Sequence, residues 1–205
     1  MTSTRLTSTL TRAIKRRLYN FHPKSFLYKY YCKNSPDTPL TIRIDGDIKA
    51  RIWPGDAIGR ELFVGELFEE DEVNFIKNAL KPGMTFFDIG ANMGFYTLIG
   101  AKRVGSSGQV HSFEPSPRMF QELKFNVELN NFRNVHLNNV ALGEKPGCAR
   151  LSRYDRGKEV YGSLSDRSFP GKTIIGYDEV AVETLNDYMI KKNIGKVDLI
   201  KMDIE

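Results

Sequence analysis

The sequence predicts a doubly wound α/β protein with a mostly parallel sheet. From residue 84 onward, short apolar segments alternate with longer segments of helical apolar spacing, which is the pattern of successive strand–helix units. A glycine-punctuated turn, Asp88–Gly94, follows the first of these apolar segments, where such folds place a ligand pocket. A second acid, Glu114, ends the next predicted strand.

A small hairpin and helix are predicted ahead of this core. Two runs of alternating apolar and polar residues, 40–44 and 48–52, flank the Asp45-Gly46 pair, which is a strong hairpin signal. The stretch 56–70 is less regular. A helix is predicted over residues 70–80, because acids fill its first turn and Pro82-Gly83 ends it.

The core elements follow in a regular order that is interrupted once, by residues 144–178. We expect this stretch to be less ordered, although residues 149–154 show hairpin-like alternation. The predicted ranges are strand 84–88, helix 94–103, strand 109–114, helix 116–130, strand 135–140, helix 184–192 and strand 197–204. The chain therefore divides into a basic N-terminal appendage (1–36), a hairpin and helix (37–83) and a core (84–205).

The formal net charge of +5 is concentrated in residues 1–36, which contain no acid. Because the remainder holds more acids than bases, no specific nucleic-acid partner is expected. The basic residues are Arg5, Arg12, Lys15, Arg16, Arg17, Lys24, Lys29 and Lys33. An apolar stripe at helical spacing accompanies them: Leu6, Leu10, Ile14, Leu18 and Phe21.

This basic segment has several interpretations. A basic amphipathic helix that ends at Pro23 can lie on an anionic membrane surface. A solvated tail, a helix packed on its own domain and an organelle transit peptide are alternatives. We expect a cytoplasmic protein with peripheral membrane contact, since no apolar run is long enough to span a bilayer.

Neither the cysteines nor the histidines predict a metal site. Cys32 and Cys148 are isolated from each other, which favours a reducing compartment. The three histidines form no ligand cluster either, and no metal is expected.

The turn after the first core strand carries the chemical signal. A dinucleotide-binding fingerprint would place glycine at positions 90, 92 and 95, but positions 92 and 95 are asparagine and phenylalanine. The pattern Asp-x-Gly-x-Asn-x-Gly instead resembles the first motif of S-adenosylmethionine-dependent methyltransferases. Glycine and asparagine are the residues that best tolerate positive φ, so this pattern fits a sharp turn. The candidate cofactor-binding residues here are Asp88, Gly90, Ala91, Asn92 and Gly94.

Three further positions extend the candidate site. Glu114 lies 24 residues after Gly90, a spacing at which an acid can accept hydrogen bonds from both ribose hydroxyls. Ala141, at the end of the third strand, is expected beside the adenine. Asp203 and Glu205, at the end of the last strand, are candidate catalytic residues for positioning an acceptor or removing its proton. The alternative at each position is an ordinary strand end.

Together these segments resemble the FkbM-type methyltransferase family over about residues 60–205. The matching segments are 87–97 (FDIGANMGFYT), 113–117 (FEPSP), 140–143 (VALG), 182–187 (VETLND) and 198–205 (DLIKMDIE). The resemblance implies a Rossmann-like methyltransferase sheet, S-adenosylmethionine as cofactor, and O-methylation of a hydroxyl on a polyketide, sugar or similar small molecule. Because family domains continue with further strands after the final acid, it also implies a C-terminally truncated domain.

Two other functions compete with this one. A nicotinamide-dependent oxidoreductase would also use an acid at Glu114, although the glycine spacing argues against it. The other alternative is a non-catalytic module that binds the cofactor or attaches to a membrane through its basic N-terminal segment.

Overall fold

The computed structural model describes residues 23–64, 69–154 and 173–203. The predicted helix before Pro23 and the candidate residue Glu205 therefore lie outside the described residues. In chain order the elements are α1 Pro23–Asn34, β1 Leu40–Ile44, β2 Ile48–Ile52, α2 Ala57–Val64, α3 Glu70–Ala79, β3 Thr85–Ile89, α4 Phe95–Val104, β4 Gln109–Phe113, α5 Pro117–Leu129, β5 Val135–Asn138, β6 Ala141–Leu142, β7 Gly147–Tyr154, β8 Ile174–Glu183, α6 Leu185–Lys191 and β9 Leu199–Met202.

A four-stranded parallel sheet forms the centre of the molecule, with strand order β5-β4-β3-β9. Strand β3 lies inside it, and four of its five residues are buried. Helices cover both faces: Phe86 packs towards α4 and the hairpin, whereas Phe87 packs towards Tyr188 of α6. This arrangement confirms the predicted doubly wound α/β fold.

Helix α4 packs closely against β3 because it contains Gly100. A Cβ atom at this position would lie 2.4 Å from the Phe86 ring. Glycine in a helix interior is normally unfavourable, so its presence here reflects this close packing. The contact brings the start of α4 to the carboxyl end of β3, where the candidate turn lies.

The hairpin of β1 and β2 forms as predicted around Asp45 and Gly46, both of which have positive φ. Two asparagine side chains, one in α5 and one in the residue that follows its C-terminal end, bind the outer edge of the hairpin. Asn126 accepts a hydrogen bond from Arg51 N (2.6 Å), and Asn130 accepts one from Lys49 N (2.8 Å). Asn126 also donates to Met93 O at 2.9 Å, so α5 joins the hairpin to the candidate turn.

A second, three-stranded sheet has the order β6-β8-β7. The sequence predicts one strand over 135–140, but β5 ends at Asn138 and β6 pairs with β8 instead. The prediction that 144–178 is less ordered is wrong for the described flanks, which form the long antiparallel pair β7–β8. These strands bury few apolar side chains, so their sequence carries little strand signal.

Helix α1 begins at Pro23, a residue that suits the first turn of a helix. Its Tyr28 is buried, packs on Phe63 of α2 with ring centroids 5.3 Å apart, and donates to Trp53 O. Within the predicted appendage 1–36, the described part therefore packs on the domain. The predicted domain boundaries stay predictions.

None of the helices in the described ranges is long and apolar enough to cross a membrane.

Candidate functional site

The candidate site lies where the carboxyl ends of β3, β4 and β9 meet. The turn after β3 begins at Gly90, and the chain after β4 begins at Glu114. Strand β9 pairs with β3 on the other side, with Lys201 opposite Asp88. Such an edge is where open α/β sheets bind ligands.

The turn itself adopts the positive-φ backbone that its sequence predicts. Gly90, Asn92 and Gly94 have φ values of 76°, 52° and 95°. The N–H groups of Gly90 and Ala91 both donate to Phe113 O, at 3.0 and 2.9 Å, which fixes the turn against the end of β4.

Both glycines of the turn also permit close packing. A Cβ on Gly90 would lie 1.9 Å from the backbone oxygen of Asp203. A Cβ on Gly94 would lie 2.6 Å from a side-chain carbon of Leu123, so α5 approaches the start of α4 at this point. Gly90 therefore allows the ends of β3 and β9 to approach each other closely.

Glu114 is bound to the turn through its carboxylate. The side chain is only 6% exposed, and it accepts hydrogen bonds from Asn92 N at 2.7 Å and Ser116 N at 2.8 Å. Burial raises the pKa of Glu114 to about 7, although the two backbone hydrogen bonds oppose the rise. The structure thus joins two predicted site residues, Asn92 and Glu114, directly.

Asp88 is fully buried, and its two oxygens have different surroundings. Oδ2 accepts a hydrogen bond from Thr97 Oγ1 at 2.6 Å, and Thr97 is in turn 2.7 Å from Ser112 Oγ. Oδ1 has no hydrogen-bond partner and lies 3.9 Å from Lys201 Nζ. Burial raises the pKa of Asp88, while Lys201 and the Thr97 hydrogen bond oppose the rise.

Several residues of this site were not singled out from the sequence. Thr97 lies within the matching segment, but only the helix position shows that it faces Asp88. Tyr96 donates a hydrogen bond to Glu69, the residue that precedes α3. Asn139 donates to the Glu114 backbone oxygen at 2.8 Å. Lys201 lies within the matching segment 198–205, but only the pairing of β9 with β3 shows that it lies opposite Asp88.

The remaining predicted residues lie around this centre. Asp203 is exposed; its N–H donates to Ile89 O at 3.0 Å, and its carboxylate is 3.5 Å from Lys201 Nζ. Ala141 is buried in β6, where it clusters with Leu151 and Val180 of the second sheet. In the described ranges, no group of three or more metal-ligating side chains could hold a metal ion.

These groups fit a cationic nucleoside ligand. The carboxylate of Glu114 has two oxygens that each accept one backbone hydrogen bond, which leaves lone pairs for two hydroxyls. The buried, unpartnered oxygen of Asp88 suits a ligand cation. The N-terminal end of α4 suits a ligand carboxylate, because the helix dipole places a partial positive charge there.

The parallel sheet, the glycine turn after β3 and the buried acid after β4 define a Rossmann-like, nucleoside-binding α/β protein. The chain belongs to the FkbM methyltransferase family: the model described as "Methyltransferase FkbM domain" matches residues 88–205. The family predicted from the sequence is thereby confirmed. S-adenosylmethionine is its cofactor and methyl transfer its class of reaction.

Two curated relatives illustrate the range of similarity. The chain is 25% identical over 196 residues to 31-O-demethyl-FK506 methyltransferase FkbM of Streptomyces tacrolimicus, covering 82% of this chain and 73% of the relative. It is 32% identical over 131 residues to protein-L-isoaspartate O-methyltransferase of Methanothrix thermoacetophila, covering 58% and 61% of the two chains.

Solved structures match over shorter stretches. A SAM-dependent methyltransferase from Aquifex aeolicus is 31% identical with a TM-score of 0.31, covering 35% of this chain and 37% of that one. A tRNA (uracil-54, C5)-methyltransferase from Pyrococcus abyssi, in complex with S-adenosyl-L-homocysteine, is 19% identical with a TM-score of 0.35, covering 48% and 23%. The chain thus spans less than two fifths of either structure. No comparison supports the nicotinamide alternative.

Proposed function

We propose that this protein methylates a hydroxyl oxygen of a small molecule, such as a polyketide or a sugar, with S-adenosylmethionine as donor. The observation that supports this best is the Glu114 carboxylate, buried and held by Asn92 N and Ser116 N at the turn that carries the family motif. The hydroxyl acceptor is favoured by the name of the FkbM relative, 31-O-demethyl-FK506 methyltransferase, which describes methylation of an oxygen.

Each part of the site has a distinct role in this proposal. Glu114 accepts the ribose hydroxyls, Asp88 and the Gly90 carbonyl face the ammonium group, and Ala141 lies towards the adenine. The turn 90–94 orients the ligand carboxylate at the start of α4. Bound S-adenosylmethionine supplies an electrophilic methyl group, so the chain's main contribution is to position the acceptor in line with it.

Asp203 and Glu205 are proposed for the acceptor side. The Asp203 carboxylate is exposed beside Lys201, at the carboxyl end of β9. A carboxylate in this place can accept a hydrogen bond from an acceptor hydroxyl and take its proton during transfer.

The acceptor chemistry is tested with methyl-labelled S-adenosylmethionine. Acceptors carrying only hydroxyls are compared with a peptide carrying a free isoaspartyl carboxyl, and products are treated with mild base. We expect label in a base-stable methyl ether, because ethers survive conditions that hydrolyse methyl esters. Label that base releases as methanol contradicts the hydroxyl acceptor.

Asp203→Asn is expected to slow this transfer about 100-fold, the lower range for general-base catalysis, and to retain cofactor binding.

We further propose that residues 1–36 attach this protein to an anionic membrane surface in the cytoplasm. Helix α1 exposes Phe26, Leu27 and Tyr30, of which Tyr30 is 68% exposed. Lys24, Lys29 and Lys33 accompany them on a helix without acids. Large exposed apolar side chains among lysines match the interface of an anionic bilayer in both hydrophobicity and charge.

Vesicle co-sedimentation tests this attachment. Replacing Phe26, Leu27 and Tyr30 together with serine is expected to weaken binding to phosphatidylserine vesicles about tenfold or more, since each side chain loses its apolar burial in the interface. Phe75→Ser on the acidic helix α3 is the matched control, because Phe75 is 63% exposed. Undiminished binding of the triple variant, or equal binding to neutral vesicles, contradicts the proposal.

A further inference from the structure

Lys201 lies among charged and polar groups of the candidate site. It lies on β9 opposite Asp88 of β3, and its side chain is only 17% exposed. Its Nζ atom is 3.4 Å from Gly90 O, 3.5 Å from Asp203 Oδ2 and 3.9 Å from Asp88 Oδ1. The ring of Tyr96 completes the surroundings at 5.1 Å from Nζ to the centroid.

All four of these neighbours attract a cation. Two are carboxylates, one is a backbone carbonyl oxygen, and one is the face of an aromatic ring. A primary ammonium with three donors suits such a set. The α-ammonium of the cofactor has the same chemistry as the ammonium of Lys201, and the proposed function places it at the same Asp88–Gly90 edge.

We propose that Lys201 is an internal counter-cation that the ammonium group of the cofactor displaces when it binds. This inference rests on the proposed function, because it concerns the same pocket. Two ammonium groups cannot share one set of partners, since like charges a few ångströms apart repel each other. Binding is therefore an exchange of one cation for another at Asp88, and the lysine swings away from the turn.

The exchange has a consequence for ligand selection. Without a cation nearby, the buried Asp88 oxygen would have neither a hydrogen-bond donor nor a countercharge. Lys201 supplies the countercharge in the ligand-free protein. A ligand that carries an ammonium can replace it, whereas a nucleoside without one leaves Lys201 in place.

Calorimetry on the full chain with two ligands tests this exchange. S-adenosylhomocysteine carries the α-ammonium, and methylthioadenosine shares the nucleoside but lacks the amino-acid part. We expect Lys201→Met to bind S-adenosylhomocysteine about fivefold more tightly or better, because a competing charge is removed. We expect its affinity for methylthioadenosine to stay within about twofold, because that ligand never competes with the lysine.

Further variants keep the outcome decisive. Lys201→Arg retains the charge and should keep the affinity of the natural protein. Lys201→Gln replaces Lys201→Met if the latter does not fold. Lys196→Met controls for the loss of one positive charge, since Lys196 is exposed and pairs with Asp198 at 2.5 Å, away from the turn.

The results separate this inference from the proposed function. The exchange is supported if Lys201→Met binds S-adenosylhomocysteine more tightly than the natural protein does, while Lys201→Arg and Lys196→Met do not. Unchanged binding overturns it and leaves the proposed function intact. Weaker binding also overturns the exchange, because it would mean that Lys201 binds the ligand directly, for example through the carboxylate of S-adenosylhomocysteine. Absence of S-adenosylhomocysteine binding in the natural protein and in every variant contradicts both.

Discussion

Gly90→Ala is expected to abolish cofactor binding and to lower the free energy of unfolding by about 3 kcal/mol, the sum of a left-handed backbone penalty and an overpacking penalty. Gly90 has a φ of 76°, which an L side chain adopts with strain. Its Cβ would also lie 1.9 Å from the Asp203 backbone oxygen.

The collision at Gly90 cannot be relieved by a local side-chain movement. The obstructing atom belongs to the backbone, and Asp203 is tied to β3 by its N–H, which donates to Ile89 O at 3.0 Å. On the other side, Gly90 N donates to Phe113 O at 3.0 Å. Alanine must therefore separate β9 from the turn or break the contact with β4, and either change displaces the groups that surround the ligand.

Urea unfolding and calorimetry with S-adenosylhomocysteine measure these two effects. Gly55→Ala is a matched control, because Gly55 has a φ of 88° and nothing lies within 4 Å of its Cβ position. That variant carries the backbone strain without the collision, and it should bind the ligand normally. If Gly90→Ala were as stable as Gly55→Ala and bound the ligand equally well, the close approach of Asp203 to Gly90 would matter neither for stability nor for ligand binding.

The parts of the molecule that the sequence predicts well are those fixed by local chemistry. The Asp45-Gly46 turn, the positive-φ turn at 90–94 and the start of α5 behind Ser116 all depend on residues within a few positions of each other. Glu114 could also be predicted, because its position at a strand end and its spacing from the glycine turn both follow from the sequence.

The structural features that the sequence did not predict depend on contacts between segments far apart in the chain. Lys201 meets Asp88 only because β9 inserts beside β3, which no local pattern of charges specifies. Asn126 and Asn130 look like ordinary helix-surface amides until the hairpin edge is placed against α5. The pair β7–β8 was predicted only in part: the alternation at 149–154 indicates much of β7, but these strands bury few apolar side chains, so hydrophobic periodicity gives little signal for β8.

Glu114 is expected to give the stability and the ligand affinity of this protein opposite pH dependences. Burial raises its pKa from 4.5 to about 7 in the folded protein. The folded state therefore binds more protons than the unfolded state between these two values, and stability falls as pH rises through that window. The full effect corresponds to about 3 kcal/mol. It is complete once the pH exceeds the folded-state pKa.

Ligand binding should respond in the other direction. Each oxygen of ionised Glu114 already accepts one backbone N–H and keeps capacity for a ribose hydroxyl. Protonation removes acceptor capacity, so affinity for S-adenosylhomocysteine should fall as the pH drops below about 7, by up to about tenfold per pH unit. Calorimetric titrations between about pH 5.5 and pH 8 measure this slope, and urea unfolding over the same range measures the stability.

Glu114→Gln distinguishes this group from Asp88, whose pKa burial also raises. The amide cannot titrate, and its NH₂ group must face one of two backbone N–H donors, Asn92 N or Ser116 N. We therefore expect a weaker pH dependence of both stability and binding, together with about a hundredfold loss of affinity, as for two hydrogen bonds to a charged group. Glu128→Gln on the exposed face of α5 should change neither. If Glu114→Gln kept both pH slopes, the Glu114 carboxyl would not be the group that produces them.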